Sequence, residues 1–154
     1  AMTGARIYKV RNYLNNEPFM LTYGDGLSDI NLDSLLAFHR SKNLAITVTG
    51  VRPPARFGEL QVGSDGIATG FNEKPQASAG MISGGFFVCE PTVFAHMNSR
   101  EDLVFEQDPM QSLVGEKLLA VYQHDGFWQC MDTFRDWQLL NSMIDQEKAP
   151  WKVW

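Results

Sequence analysis

Phe19-Met-Leu-Thr-Tyr23, stopping at Gly24-Asp25-Gly26, is the stretch that decides the fold. It is a short apolar run of buried-strand type, closed by a turn signal. Just downstream, Leu32, Leu35, Leu36 and His39 share one helical face behind a predicted N-cap at Asn31, and Asp33 suits the positive helix start. Ala45-Ile-Thr-Val-Thr49 is then β-branched and strand-like. Working outward, residues 58–72 alternate around Gly63-Ser-Asp-Gly66 as a hairpin, and Gly84-Gly-Phe-Phe-Val-Cys89 reads as a strand with Pro91 opening a helix behind it. Asp108-Pro109 starts a helix that ends near Gly115, Leu118–Tyr122 is a strand, and Thr133 with Asp136 forms a capping box before Phe134, Trp137, Leu140 and Ile144 on one apolar face. On the N-terminal side, Ile7, Val10, Tyr13 and Leu14 place a short helix over residues 5–14. Strands alternating with helices, plus one hairpin, predict a single α/β domain over residues 1–154 with a mixed β-sheet flanked by helices.

Composition narrows the function. The 154 residues carry 13 Lys plus Arg against 18 Asp plus Glu, a net charge of −5, which lacks the basic footprint of a general nucleic-acid binder. No apolar run approaches the ~18 residues of a membrane helix. Arg6, Lys9 and Arg11 interrupt any leader-like start, so the expected setting is cytoplasmic, away from the membrane. Cys89 and Cys130 are too few for a disulfide framework or a Cys-rich zinc site. The three histidines show no metal-ligand spacing, and no Gly-x-Ser-x-Gly elbow occurs, which disfavours a nucleophilic hydrolase.

The chemistry that remains is that of carboxylates, cations and glycines. Ligands of α/β sheets sit at the carboxyl ends of strands, and Asp25 and Asp132 occupy such places, one just after a strand and one just before a helix. Either carboxylate suits a hard cation such as Mg²⁺. Read alone, Asp25 equally fits a turn bonding its own backbone, and Asp132 a helix-start charge. Lys74, in Glu73-Lys74-Pro75, is a compact charge suited to a phosphate, or one half of a solvated pair. Arg6, Arg52 and Arg56 are candidate phosphate forks, and Gly84-Gly85 either admits a sugar close to the backbone or marks a bulge.

Taken in order, Thr22-Tyr-Gly-Asp-Gly26, Pro53-Pro54 with Arg56-Phe-Gly58, Glu73-Lys-Pro75, Met81-Ile-Ser-Gly-Gly-Phe-Phe-Val88, Phe127-Trp-Gln with Met131-Asp-Thr133, and Ala149-Pro-Trp-Lys152 resemble the C-terminal part of the glucose-1-phosphate cytidylyltransferases, a family of sugar nucleotidyltransferases. The resemblance runs from Met2 to Trp154. It implies a Rossmann-like nucleotide-diphospho-sugar transferase fold, and a Mg²⁺-dependent reaction of CTP with α-D-glucose 1-phosphate to give CDP-glucose and pyrophosphate. It also implies Asp25 and Asp132 as the Mg²⁺ carboxylates, Lys74 as the neutraliser of the sugar phosphate, Glu73 as a sugar-hydroxyl partner, Arg6 as a substrate contact, and Gly24 and Gly85 as backbone lining of the site. The implied partners are a sugar 1-phosphate and CTP.

The chain also departs from the family pattern. The Gly-rich GGxGTR loop that cradles the triphosphate, and the lysine that follows it, do not occur in these residues. Ser83 stands where the family usually has Asn, and Cys130 where it has Pro. The expectation is a fold truncated of its N-terminal nucleotide-binding segment and a chain catalytically incomplete by itself. Uncovered strand edges should then drive it to homo-oligomerise or to associate with a complementary chain. The alternative expectation is a non-catalytic module that binds sugar phosphates or serves as a structural oligomer.

Overall fold

The computed structural model describes residues 1–53, 59–72 and 80–154. Helix α1 spans Thr3–Val10 and continues into a 3₁₀ turn over Arg11–Tyr13, as the 5–14 periodicity predicts. Its first turn is tied to a distant loop: the Ala5 N–H donates to the Leu103 carbonyl at 3.1 Å, and the Phe105 N–H donates to the Thr3 hydroxyl at 3.0 Å. The first of these satisfies an N–H that a helix start otherwise leaves open. Gly4 permits the approach, because a Cβ there would stand 2.8 Å from Leu103 Cγ.

Strand β1 (Phe19–Thr22) leads into β2 (Gly26–Ser28) and helix α2 (Leu32–Lys42), whose N-cap Asn31 accepts from the Ser34 N–H as predicted. Then come β3 (Ile46–Val51), the hairpin strands β4 (Glu59–Val62) and β5 (Ala68–Asn72), and β6 (Ile82–Cys89). A 3₁₀ turn over Pro91–His96 precedes α3 (Asp108–Gly115), β7 (Leu119–His124), β8 (Trp128–Cys130) and α4 (Phe134–Asp145). The central sheet has the order β1-β6-β3-β7 and is mixed: β6 runs antiparallel to β1 and β3, and β7 runs parallel to β3. The β4–β5 hairpin forms a separate two-stranded sheet. No described helix is long and apolar enough to cross a membrane.

Strand β3 is buried at all six positions, which explains its β-branched composition. The core lies on one face of the sheet, where Ile46, Val48, Phe87 and Cys89 meet Ile7, Val93, Phe105 and Leu113. Burial pushes the Cys89 thiol up to about 12, with the charge of Glu90 acting in the same direction, so it stays protonated and inert near neutrality. On the other side, α2 inserts Leu35 and His39. The His39 ring bridges β3 and the residue just after β6, with Nδ1 2.8 Å from the Thr47 hydroxyl and Nε2 3.1 Å from Glu90 Oε1.

Two expectations change. β1 is not a fully buried strand: Phe19 and Leu21 pack on the core while Met20 and Thr22 face outward, since β1 is an edge strand paired only with β6 among the described residues. The apolar face of α4 is mostly uncovered: Leu140 is buried, but Phe134, Trp137 and Ile144 are exposed. Helical spacing locates a stripe and leaves open what packs against it.

Replacing His39 with alanine removes a buried ring and leaves the Thr47 hydroxyl without that partner. The expected loss is about 3 kcal/mol of unfolding free energy, read by urea titration. A change below about 0.5 kcal/mol would contradict the bridging role.

Candidate functional site

The site is built on two strands that sequence periodicity could not reveal. β2 and β8 are three residues each and pair antiparallel, with Gly26 opposite Cys130 and Ser28 opposite Trp128. The Met131 N–H extends this ladder to the Asp25 carbonyl at 2.8 Å. Asp25 and Asp132, far apart in sequence, therefore sit at the same end of one short ladder.

This arm is fastened to the central sheet at two points. The Trp128 indole N–H donates to the Gly84 carbonyl at 2.9 Å. Below it, His124 Nε2 lies 2.8 Å from Asp29 Oδ1 and 3.2 Å from the Phe127 carbonyl. Two acceptors facing one ring nitrogen assign the proton to Nε2. Gly126 makes room for this pair, because a Cβ there would fall 2.6 Å from Asp29 Oδ1.

Between arm and sheet lies an open cleft of about 990 Å³. Tyr23, Asp25 and Gly26 form one wall, Ser83, Gly84 and Gly85 line it from β6, and Trp128, Gln129, Cys130 and Asp132 together with Arg135, Asp136 and Leu139 of α4 complete it. Gly85 has φ +76° and packs under the Tyr23 ring, where an added Cβ would lie 3.0 Å from Cδ2. A Cβ on Gly84 would approach Val51 Cγ1 to 2.9 Å and the Trp128 indole nitrogen to 3.3 Å. The glycine pair is thus what lets Tyr23 and Trp128 close over β6, and it presents backbone to the cleft.

Of the predicted site residues, the structure gathers Asp25, Asp132 and Gly85 along this cleft. Gly24 adjoins it and faces open space. Arg6 lies outside the lining, exposed on α1, with its Nε donating to the Ala1 carbonyl at 2.8 Å. Arg52 pairs with Asp125 at 2.7 Å. Glu73, Lys74 and Arg56 lie outside the described residues. Sequence reading passed over Tyr23, whose hydroxyl donates to the Glu106 carboxylate, and Gln129, whose amide donates to Asp136. An aromatic directly before Gly24-Asp25-Gly26 was the available signal for the first.

The chemistry of the lining is asymmetric. Among the described residues of the lining, carboxylates outnumber the one arginine, so a cation beside Asp25 or Asp132 would favour an anionic ligand there. Among the described residues no group of three or more His, Cys, Asp and Glu could hold a metal by itself. A cation here would share its coordination with water and ligand oxygens, the manner in which Mg²⁺ binds.

A family model for nucleotidyl transferases matches residues 3–145. The chain belongs to that family. It is 43% identical over 153 residues to a probable glucose-1-phosphate cytidylyltransferase of Bacillus subtilis, covering 99% of this chain and 59% of that protein. It is 39% identical over 155 residues to the glucose-1-phosphate cytidylyltransferase of Salmonella typhimurium, covering 100% of this chain and 60% of that protein. Among solved structures, HddC from Yersinia pseudotuberculosis superposes with a TM-score of 0.67 at 16% identity, over 93% of this chain and 62% of that one. That likeness bears out the α/β fold with a mixed sheet. The chain spans about 60% of the length of the curated relatives it matches.

Changing Gly85 to alanine forces a side chain into a left-handed backbone beneath Tyr23. The expected cost is about 1–3 kcal/mol, read by thermal or urea unfolding. An unchanged stability would show that the backbone of β6 relaxes freely at this point, against the packing described.

Proposed function

We propose that the chain binds a hexose 1-phosphate with Mg²⁺ and serves cytidylyl transfer, in which CTP and α-D-glucose 1-phosphate give CDP-glucose and pyrophosphate. The observation that carries the reading is the shared position of Asp25 and Asp132 along one cleft floored by Gly84 and Gly85. Two carboxylate donors suit Mg²⁺, a hard cation that usually keeps waters and is held by one or two carboxylates plus phosphate oxygens. Bound there, Mg²⁺ would supply polarisation of phosphoryl oxygens and a fixed geometry for the substrates.

The remaining work falls to the chain. In this reaction a phosphate oxygen of the sugar phosphate attacks the α-phosphorus of CTP. One P–O bond forms, the bond to pyrophosphate breaks, and little proton transfer is required. Positioning and charge neutralisation then dominate catalysis. In this reading Asp25 and Asp132 hold the cation, while Gly85 lets the sugar lie against the backbone. Lys74 neutralises the sugar phosphate, Glu73 binds a hydroxyl, and Arg6 and Gly24 contribute at the margin. These 154 residues supply the sugar-phosphate and cation part of the centre.

A second reading, a structural oligomer or a non-catalytic module, is favoured by two specific features. Phe134 and Trp137 stack at 5.3 Å between ring centroids on the exposed face of α4, and β1 leaves an edge unpaired among the described residues.

Calorimetry separates the two. Glucose 1-phosphate with Mg²⁺ is expected to bind the wild-type chain, Asp25→Asn and Asp132→Asn to abolish the Mg²⁺-dependent part, and Lys74→Ala to weaken binding by about tenfold or more. No heat of binding in the folded wild type, or binding indifferent to all three changes, would favour the structural module.

A further inference from the structure

Asp136 forms the cap of α4, but its carboxylate reaches beyond the helix. Oδ2 accepts from the Thr133 N–H at 3.0 Å and the Thr133 hydroxyl at 2.9 Å, and also from the Asp132 N–H at 3.2 Å. Oδ1 accepts from the Gln129 side-chain amide at 3.2 Å. A capping box needs the N-cap N–H alone. Of the three additional donors, one is the Thr133 hydroxyl, and the other two belong to the backbone of a cleft carboxylate and to a residue of β8.

We propose that Asp136 is a positioning residue: it locks the Asp132 backbone against β8, and so sets where the Asp132 carboxylate stands in the cleft. This rests on the reading of Asp25 and Asp132 as a cation pair. Asp132 lies outside both β8 and α4: the ladder brings it to the cleft, and its own N–H is held by Asp136. Asp136 joins the two elements on either side of it. A carboxylate serves this task better than an amide, because one ionised oxygen accepts from several N–H and O–H donors together and charge strengthens each bond. An asparagine would present its own N–H₂ either to the Gln129 amide or to the Thr133 and Asp132 N–H groups, and would lose one set. Outer partners of this kind commonly change metal affinity by roughly 10–100-fold when removed.

The discriminating variant is Asp136→Glu. Glutamate at this position of a Thr-x-x-Glu sequence is a preferred capping-box residue, so the helix start survives. The extra methylene moves the carboxylate away from the Asp132 N–H and Gln129. Two readouts on the full chain decide the matter. Amide hydrogen exchange by NMR is expected to accelerate about tenfold or more at Asp132, while amides of α4 beyond Trp137 keep their protection. Mn²⁺ alone, followed by electron paramagnetic resonance, is expected to bind roughly 10–100-fold more weakly. Asp136→Asn should retain one set of bonds and fall between Asp136→Glu and wild type in both.

Wild-type exchange at Asp132 in Asp136→Glu would overturn the positioning role. So would unchanged Mn²⁺ affinity in Asp136→Glu when Asp25→Asn and Asp132→Asn both lower it. If exchange at Asp132 accelerates and Mn²⁺ binding is indifferent to Asp25→Asn and Asp132→Asn, the cation pair is what fails, and Asp136 still positions Asp132.

Discussion

The Trp128 indole lying across Gly84, with its N–H on the Gly84 carbonyl, holds a structure that could not stand alone. Two three-residue strands are too short for independent stability in water. β2 and β8 come from opposite ends of the chain, so their pairing also carries the entropy of closing a long loop. Docking on the sheet offsets that cost: Trp128 covers Gly84 of β6, and the His124–Asp29 bond ties the other end of the arm to β7. The cleft exists because the arm is held away from the sheet at this spacing, and the positions of Asp25 and Asp132 follow from the same ladder.

Much of the fold was legible in the sequence. The Asn31 cap, the capping box at Thr133 and Asp136, the hairpin around Gly63–Gly66 and the buried strand at Ile46 each announce themselves by local chemistry. The cleft did not, for a physical reason. A strand of three residues carries no measurable alternation, and a pairing such as Gly26 with Cys130 is decided by tertiary packing. Asp25 looked like a turn residue and Asp132 like a helix-start charge because each is read within its own segment. The long-range ladder is what gives them a common setting. The exposed stripe of α4 and the edge position of β1 were hidden for the complementary reason, since an apolar pattern specifies a face and leaves its partner open.

The lining also makes chemical sense for transfer between phosphates. Among the described residues the lining holds no histidine. Cys89 is buried and protonated, and His39 and His124 are engaged in structural bonds. What it offers is carboxylate, backbone and shape, the materials of positioning and electrostatics. In the proposed function, a cation is what would reconcile the carboxylates of the described lining with anionic substrates.

That claim is open to a direct measurement. Crystals of the chain soaked with Mn²⁺ and glucose 1-phosphate, examined by anomalous diffraction, should show a manganese peak bridging the Asp25 and Asp132 carboxylates with the sugar phosphate beside it. A peak held by other residues, or the two carboxylates turned away from one another with the sugar phosphate bound elsewhere, would contradict the account.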